Sequence, residues 1–262
     1  MSVGSLPDIP ARARFQGVCQ ILQYNWPMYV GGLLAGAVAL FALRRLPLPP
    51  LLQVAGRIGL TLALFWLIAS IIASWFIYDV SPLCQWTWVT SSLLEKPRTW
   101  ANLHAGLDES TPSLLALFPE SRGHVFDFYD ATTMTEPSIR RARQLTPPAI
   151  APQPVSAAAL PLDNGEIDAV FLFFAAHEIR RPTGRLQLFG EIYRILRPGG
   201  RIVLAEHLRD TANFAVFGPG FFHFLPRAEW LRLAREAGFS VVREQALTPF
   251  TRVLVLEKPV AP

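Results

Sequence analysis

Two adjacent acid–imidazole pairs, His177-Glu178 and Glu206-His207, are the residues of this 262-residue chain best suited to acid–base chemistry. Each closes a nearly all-apolar run, IDAVFLFFA (167–175) in the first case and RIVLA in the second. Imidazole titrates near working pH, so His177 and His207 can each take a proton from a reacting group. A histidine tied only to nearby backbone has the same sequence signature, and both readings stand for His177. Beyond the second pair, LRDTANFAVFGPGFFHF (208–224) sets Arg209, Asn213 and His223 in an aromatic, glycine-bearing insertion. Its length and apolar content suit a lid over a greasy substrate, with Glu178 and Glu206 beside it, or a loop that docks on a membrane.

The elements that must position these groups read as an α/β sheet. After Pro97, short apolar runs alternate with amphipathic helical stretches. TWANLHAG (99–106) predicts a strand ending in a glycine turn, and HVFDFYD (124–130) a strand ending in acids, with a helix at SIRRARQL after it. TPPAIAPQP (146–154) is a proline-rich loop leading to a short third strand near Val155. The 167–175 run has the apolar continuity of a strand buried on both faces of a parallel sheet. A helix from about Thr183 to Arg197 repeats Leu188 or Phe189, Ile192, and Ile195 or Leu196 at helical spacing, and Pro198-Gly199-Gly200 stops it. RIVLAEH (201–207) is another buried strand, then comes a helix opened by Pro226 and closed by Gly238. FSVVREQAL and TRVLVLEK end the chain as an antiparallel pair.

The first third has another texture. Only 17% of residues are charged, against about 25% in soluble domains, the mean hydropathy is +0.30, and few charges precede Lys96. The runs 26–43 and 58–77 carry no charge and approach the roughly 20 residues that cross a bilayer core. Trp26, Tyr29, Trp75, Tyr78, Trp86 and Trp88 cluster near their ends, where amphipathic rings favour the headgroup level. Gly31, Gly32 and Gly36 predict close packing of the two helices. The polar lead before the first run and the presence of a second run argue for a retained hairpin rather than a signal peptide. The predicted layout is a segment at 1–25, two membrane helices within 26–80, an interfacial linker at 81–98 and an α/β domain at 99–262. Positive charge on the flanks (Arg12, Arg14, Lys96, Arg98) nearly balances that in the loop (Arg44, Arg45, Arg57), so charge leaves the topology open. The net charge of +4 comes from scattered arginines and predicts no nucleic-acid partner. Cys19 and Cys84 form neither a metal-ligand spacing nor a disulfide framework, and no metal is expected.

The order of three pieces, LPLDNGEIDAVFLFFAAHEI, EIYRILRPGGRIVLAEH and AEWLRLAREAGFSVV, resembles the class I, Rossmann-like, S-adenosylmethionine-dependent methyltransferases, and most closely their quinone C-methylase and small-molecule branch. The resemblance runs from Trp100 to Lys258. It implies a seven-stranded, mostly parallel sheet with a C-terminal antiparallel strand, here preceded by a transmembrane helical hairpin, and S-adenosylmethionine as cofactor. It further implies that the backbone at Gly106 meets the methionine part of the donor. Asp108 or Glu109 meets the ammonium, Asp108 being preferred, against a helix-start role for the acids. Of Asp127 and Asp130, one receives the ribose hydroxyls and the other holds the following turn. Leu160 stands by the adenine, and Phe174 and Ala175 line the donor. A cytosolic cofactor puts both termini in the cytoplasm, giving an integral protein of the cell or inner membrane with its catalytic domain on the cytoplasmic side.

The expected activity is methyl transfer to a hydrophobic, membrane-associated small molecule, lipid-like or quinone-like, with membrane lipid as neighbour and no obligate protein partner. A membrane-tethered, non-catalytic protein of the same fold is the alternative, motivated by a loop that keeps one glycine and by Ser156-Ala157-Ala158 where the family has an adenine-side acid. A nicotinamide oxidoreductase is disfavoured, since no G-x-G-x-x-G follows the first strand.

Overall fold

The computed structural model describes residues 13–260. Its first element, α1 (Gln16–Arg45), runs 30 residues, about 45 Å at the helical rise, and antiparallel α2 (Pro50–Trp75) returns beside it. Both are long and apolar enough to cross a membrane. Side chains such as Leu34 (63% exposed), Val38 (69%) and Leu51 (78%) face outward. Pro47, Pro49 and Pro50 break the helix between them, Pro50 sitting in the first turn of α2 where a missing N–H costs nothing. Gly32 faces Leu67 and Gly36 faces Leu60, as close packing requires, whereas Gly31 faces open space.

Helix α1 starts well before the apolar run, at Gln16 rather than near Trp26. The reason lies 60 residues away: the Asp79 carboxylate accepts from Gly17 N (2.7 Å) and Val18 N (2.8 Å), capping two of the orphan donors of the first turn. Arg12 lies outside the described residues. Asp79 is held there because α2 widens into a π-helical turn, Phe76–Val80. Gly17 is required for this approach. A Cβ on it would overlap Tyr78 Cβ and lie 2.8 Å from Tyr78 O, with backbone that cannot swing aside. We expect Gly17→Ala to cost about 2 kcal/mol by overpacking, read as a lowered unfolding midpoint in detergent.

The segment expected to be an interfacial linker packs on the sheet. Leu83, Trp88 and Val89, around the short helix α3 (Thr87–Thr90), are buried against Trp100, Phe171, Val203 and Val255 on one face of the sheet. The rings of Trp86 and Trp88 stack at 6.1 Å and meet Phe173. Their burial needs the sheet, which sequence spacing does not display.

Seven strands follow: β1 (Thr99–His104), β2 (Arg122–Asp127), β3 (Gln153–Pro154), β4 (Ile167–Phe173), β5 (Leu196–Glu206), β6 (Ser240–Thr248) and β7 (Thr251–Glu257), in the order β3-β2-β1-β4-β5-β7-β6. β1 to β5 are mutually parallel, and β7 enters antiparallel between β5 and β6. This is the α/β, Rossmann-like sheet the sequence predicts. Helices α4 (Thr111–Leu117), α5 (Pro137–Leu145), α6 (Pro182–Ile195), α7 (Thr211–Phe217) and α8 (Arg227–Glu236) make the connections. Leu103, Phe126 and Leu172 pack with Ile192 of α6 and Trp230 of α8 to form the second core. Chain order reverses between β1 and β4, and in open α/β sheets the crevice at such a point, beyond the carboxyl ends of the strands, is where ligands bind.

The insertion 208–224 forms α7 and a following 3-10 turn (Gly218–His223) that leans on the apolar hairpin. Phe214 meets Trp66 of α2 edge-on at 5.5 Å, and Gly218 lies against the same indole. Arg209 ties it down by donating to Phe222 O and Phe224 O (2.8 Å each), and buried Asn213 donates to Phe250 O (3.2 Å).

Candidate active site

The carboxyl ends of β1 and β4 open into an apolar cavity. Its inner wall is Asn102 to His104, Leu107, Glu109, Phe173 and Phe174, and its outer wall is Gly17, Gln20, Ile21 and Tyr24 of α1 with Tyr78, Trp86 and Trp88. The base of the hairpin thus roofs the switch point.

The turn after β1 works as expected at Gly106, whose φ of 99° is one that a side chain resists. His104, buried, accepts from Gly106 N through Nδ1 (3.1 Å), so the proton sits on Nε2, which has no partner among the described residues. Burial lowers the His104 pKa, keeping the ring neutral. Asp108 turns away from the cavity. Its Oδ1 accepts from Ser110 N and Thr111 N (3.0 Å each) and meets Asn102 Nδ2 (3.1 Å), so its carboxylate caps α4 instead of awaiting an ammonium.

At the end of β2 the two acids separate. Asp130 is exposed and binds Thr132 N (2.9 Å) and the hydroxyls of Thr132 and Thr133 (2.6 and 2.9 Å), which fixes the turn and pulls its pKa down. Asp127 is buried at the strand end, where one oxygen accepts from Tyr129 N (2.9 Å) and the other from Arg143 Nη1 (2.6 Å). The Arg143 guanidinium lies over the Tyr129 ring and against Gly106. Leu160 stands elsewhere. It is buried in the core and its backbone is bonded to Glu191 and Arg194 of α6, because that loop is pinned to the helix and not to the sheet edge.

Beyond β4, Phe174 holds a φ of 50° and donates its N–H to Ala205 O (2.8 Å), while Ala175 is buried beside it. Phe174 packs on His207 with centroids 4.9 Å apart. His207 Nδ1 lies 2.9 Å from Phe250 O, so it is the donor, and Nε2 accepts from the Tyr78 hydroxyl at 2.7 Å. Burial drives its pKa down to about 4, so the ring is neutral at working pH. His177 is enclosed in the short 3-10 turn that follows β4, three residues beyond Phe174. Nδ1 meets Glu206 Oε2 (2.7 Å) and Nε2 meets Glu178 Oε1 (3.4 Å). Burial opposes its charge, yet Glu206 and Glu178 outweigh that and raise its pKa to about 10. Burial alone would raise Glu178, but hydrogen bonds to His177 and His223 hold it well below the usual carboxylate range. His177 is absent from the cavity wall, whereas His207 reaches it through Tyr78. Tyr78 is the site residue that sequence reading missed: it reads as an interfacial aromatic, and only the π turn swings it inward.

The loop with His177 and Glu178 is anchored by Arg185, 3% exposed, which donates to Ile179 O (2.7 Å) and Arg180 O (2.9 Å) and pairs with Glu229 (2.5 Å). Removing it takes this donor from two carbonyls, while Glu229 keeps Arg232 at 3.0 Å. We expect Arg185→Ala to cost about 2 kcal/mol, measured by urea unfolding in detergent.

Comparison with known proteins agrees with this geometry. Residues 121–204 match the family model described as a methyltransferase domain. No curated protein matches the chain. Among solved structures, a SAM-dependent methyltransferase from Aquifex aeolicus superposes with a TM-score of 0.53 at 14% identity, covering 70% of this chain and 93% of that one. A geranyl diphosphate C-methyltransferase from Streptomyces coelicolor A3(2), in complex with Mg2+, geranyl diphosphate and S-adenosyl-L-homocysteine, gives 0.51 at 16% identity, over 71% and 82%. Residues 121–204 thus match a methyltransferase domain, and the chain has the fold of proteins that use S-adenosylmethionine as cofactor.

The residues present fit that cofactor. The unpartnered Nε2–H of His104 beside the cavity suits a carboxylate, Gly106 allows backbone approach, and Asp127 offers a carboxylate at the β2 end. Arg143 occupies part of that ground, but it does so with the far end of a flexible, one-third-exposed side chain.

Proposed function

We propose that the protein transfers a methyl group from S-adenosylmethionine to a hydrophobic, membrane-associated small molecule, lipid-like or quinone-like, while anchored by the α1–α2 hairpin. The observation that carries the reading is the apolar cavity at the β1/β4 switch point, whose outer wall is the base of that hairpin. An acceptor dissolved in the bilayer reaches this cavity along apolar surface, and anchoring raises its local concentration. The scattered flanking arginines leave orientation to the cofactor, whose cytosolic source favours a cytoplasmic domain.

When bound, S-adenosylmethionine supplies a methyl group already activated on a sulfonium. Gly106, His104 and Asp127 hold and orient that donor, and positioning supplies most of the acceleration. Phe173, Trp86 and Trp88 exclude water from the cavity. The Tyr78 hydroxyl, hydrogen-bonded to neutral His207, takes up the proton of an O–H, N–H or C–H acceptor, with His207 Nε2 as its destination.

Titration calorimetry of the detergent-solubilised protein with S-adenosylmethionine gives saturable binding, and lipid extracts incubated with methyl-labelled donor yield a labelled lipid-soluble product. Absence of binding at millimolar donor overturns the reading. Arg143 seated on Asp127 favours one alternative, a tethered protein that keeps the fold without catalysis. That alternative predicts binding with no labelled product and indifference to replacement of His207.

A further inference from the structure

Outside the cavity, beyond the ends of β4 and β5, His177, Glu178 and His223 converge. Their nearest ligand-type atoms all lie within 4.8 Å of one another. Glu178 Oε1 is 3.4 Å from His177 Nε2 and 3.7 Å from His223 Nε2. Two ligand atoms about 2.0–2.1 Å from one tetrahedral cation stand about 3.3 Å apart, so the three groups need little rearrangement. The second oxygen, Glu178 Oε2, is buried and has no hydrogen-bond partner among the described residues. A carboxylate oxygen shut away from water without a donor is costly, and a bound cation removes that cost. His177 also has the outer partner that ligating imidazoles need: its Nδ1 is bonded to Glu206, 1% exposed, which directs Nε2 toward Glu178.

We propose that His177, Glu178 and His223 form a binding site for one divalent first-row transition cation, oriented by Glu206. Two imidazoles and one carboxylate suit Mn2+, Fe2+, Co2+ or Zn2+ over Ca2+ or Mg2+. Glu178 and Glu206 are both buried beside His177, and a divalent ion bound at Glu178 offsets that concentration of buried carboxylates. Arg180 is the local competitor. Its guanidinium lies against both ring nitrogens of His223, 3.2 Å from Nε2, donates to His223 O (2.7 Å) and faces Glu136 at 3.6 Å. Loading requires Arg180 to leave the ring, after which Glu136, 3.7 Å from His223 Nδ1, takes the ring N–H. Three protein ligands leave coordination positions for water or an anionic oxygen. The site is independent of the methyl-transfer reading, since it is tested without donor or acceptor.

The experiment is Co2+ titration of the full chain in detergent, stripped beforehand with chelator, followed by visible absorption and by calorimetry. One ion per chain is expected, with d–d bands of nitrogen and oxygen ligation. Glu178→Gln and His223→Ala weaken binding at least 100-fold, and the outer Glu206→Gln weakens it about 10-fold. Arg180→Gln, which leaves all three ligands, binds as tightly as the parent or more so. Circular dichroism matched to the parent shows that each variant is folded. No saturable Co2+ binding by the parent, or binding unchanged in both Glu178→Gln and His223→Ala, overturns the proposal.

Discussion

Tyr78→Phe lowers the single-turnover rate of methyl transfer about 100-fold and leaves donor affinity within about twofold. The substitution removes one oxygen from the cavity wall and keeps the ring that packs against Phe174, so packing and cavity shape survive. What is lost is the bridge to His207 Nε2, 2.7 Å away. A positioned acid or base contributes about 10²- to 10⁴-fold, and the low end suits a base held neutral with a pKa near 4. His207→Gln gives a loss of the same size, and the double variant loses no more than either single one, because the two groups act as one unit. His207 also sets a pH signature. Its folded pKa is depressed below the unfolded value near 6.5, so the unfolded chain binds more protons between pH 6.5 and 4. Its contribution to stability is present above pH 6.5 and falls as pH drops toward 4. The single-turnover rate at pH 5.5 stays close to that at pH 7.5, while an ordinary histidine base would be mostly protonated. Loss of activity with an acid midpoint near 6.5 would assign the base elsewhere.

Legibility from sequence followed burial. The runs 167–175 and 201–207 are readable because a strand covered on both faces is apolar over most of its length, and the C-terminal pair because a short turn separates two stretches rich in β-branched residues. The start of β5 was hidden. Pro198-Gly199-Gly200 reads as a helix stop, yet Gly199 N donates to Lys258 O and Gly200 O accepts from Lys258 N, so the strand begins at Leu196. The glycine turn after β1 and the acids closing β2 are readable because a turn and a strand terminus are local facts, though spacing does not choose between Asp127 and Asp130. Asp108 and Leu160 are not readable, since their roles depend on what their neighbours had already bonded. Tyr78, Trp86 and Trp88 form part of the roof of the cavity from outside the recognisable domain. Nothing local tells an aromatic at a membrane helix end from one turned inward by a π bulge.

Asp127 and Arg143 supply the other large effect. Asp127 is the acid at the end of β2 that is buried and free of the Thr132 turn, and the proposed function assigns it the ribose hydroxyls of the donor. Asp127→Ala removes two charge-assisted hydrogen bonds from bound donor, about 2.7 kcal/mol together, and weakens S-adenosylmethionine binding about 100-fold. Arg143 pulls the other way. Its Nη1 sits 2.6 Å from Asp127 Oδ2 and must leave before a ribose hydroxyl can approach. Breaking a partly exposed ion pair costs about 1 kcal/mol, so Arg143→Ala tightens donor binding about fivefold. In the Asp127→Ala background the same Arg143→Ala change has no effect, because the pair it dissolves no longer exists. Calorimetric titration of the four proteins with S-adenosylmethionine completes the cycle. If Arg143→Ala weakens binding in both backgrounds, the guanidinium contacts the donor itself, and the ribose end of the site lies elsewhere than at Asp127.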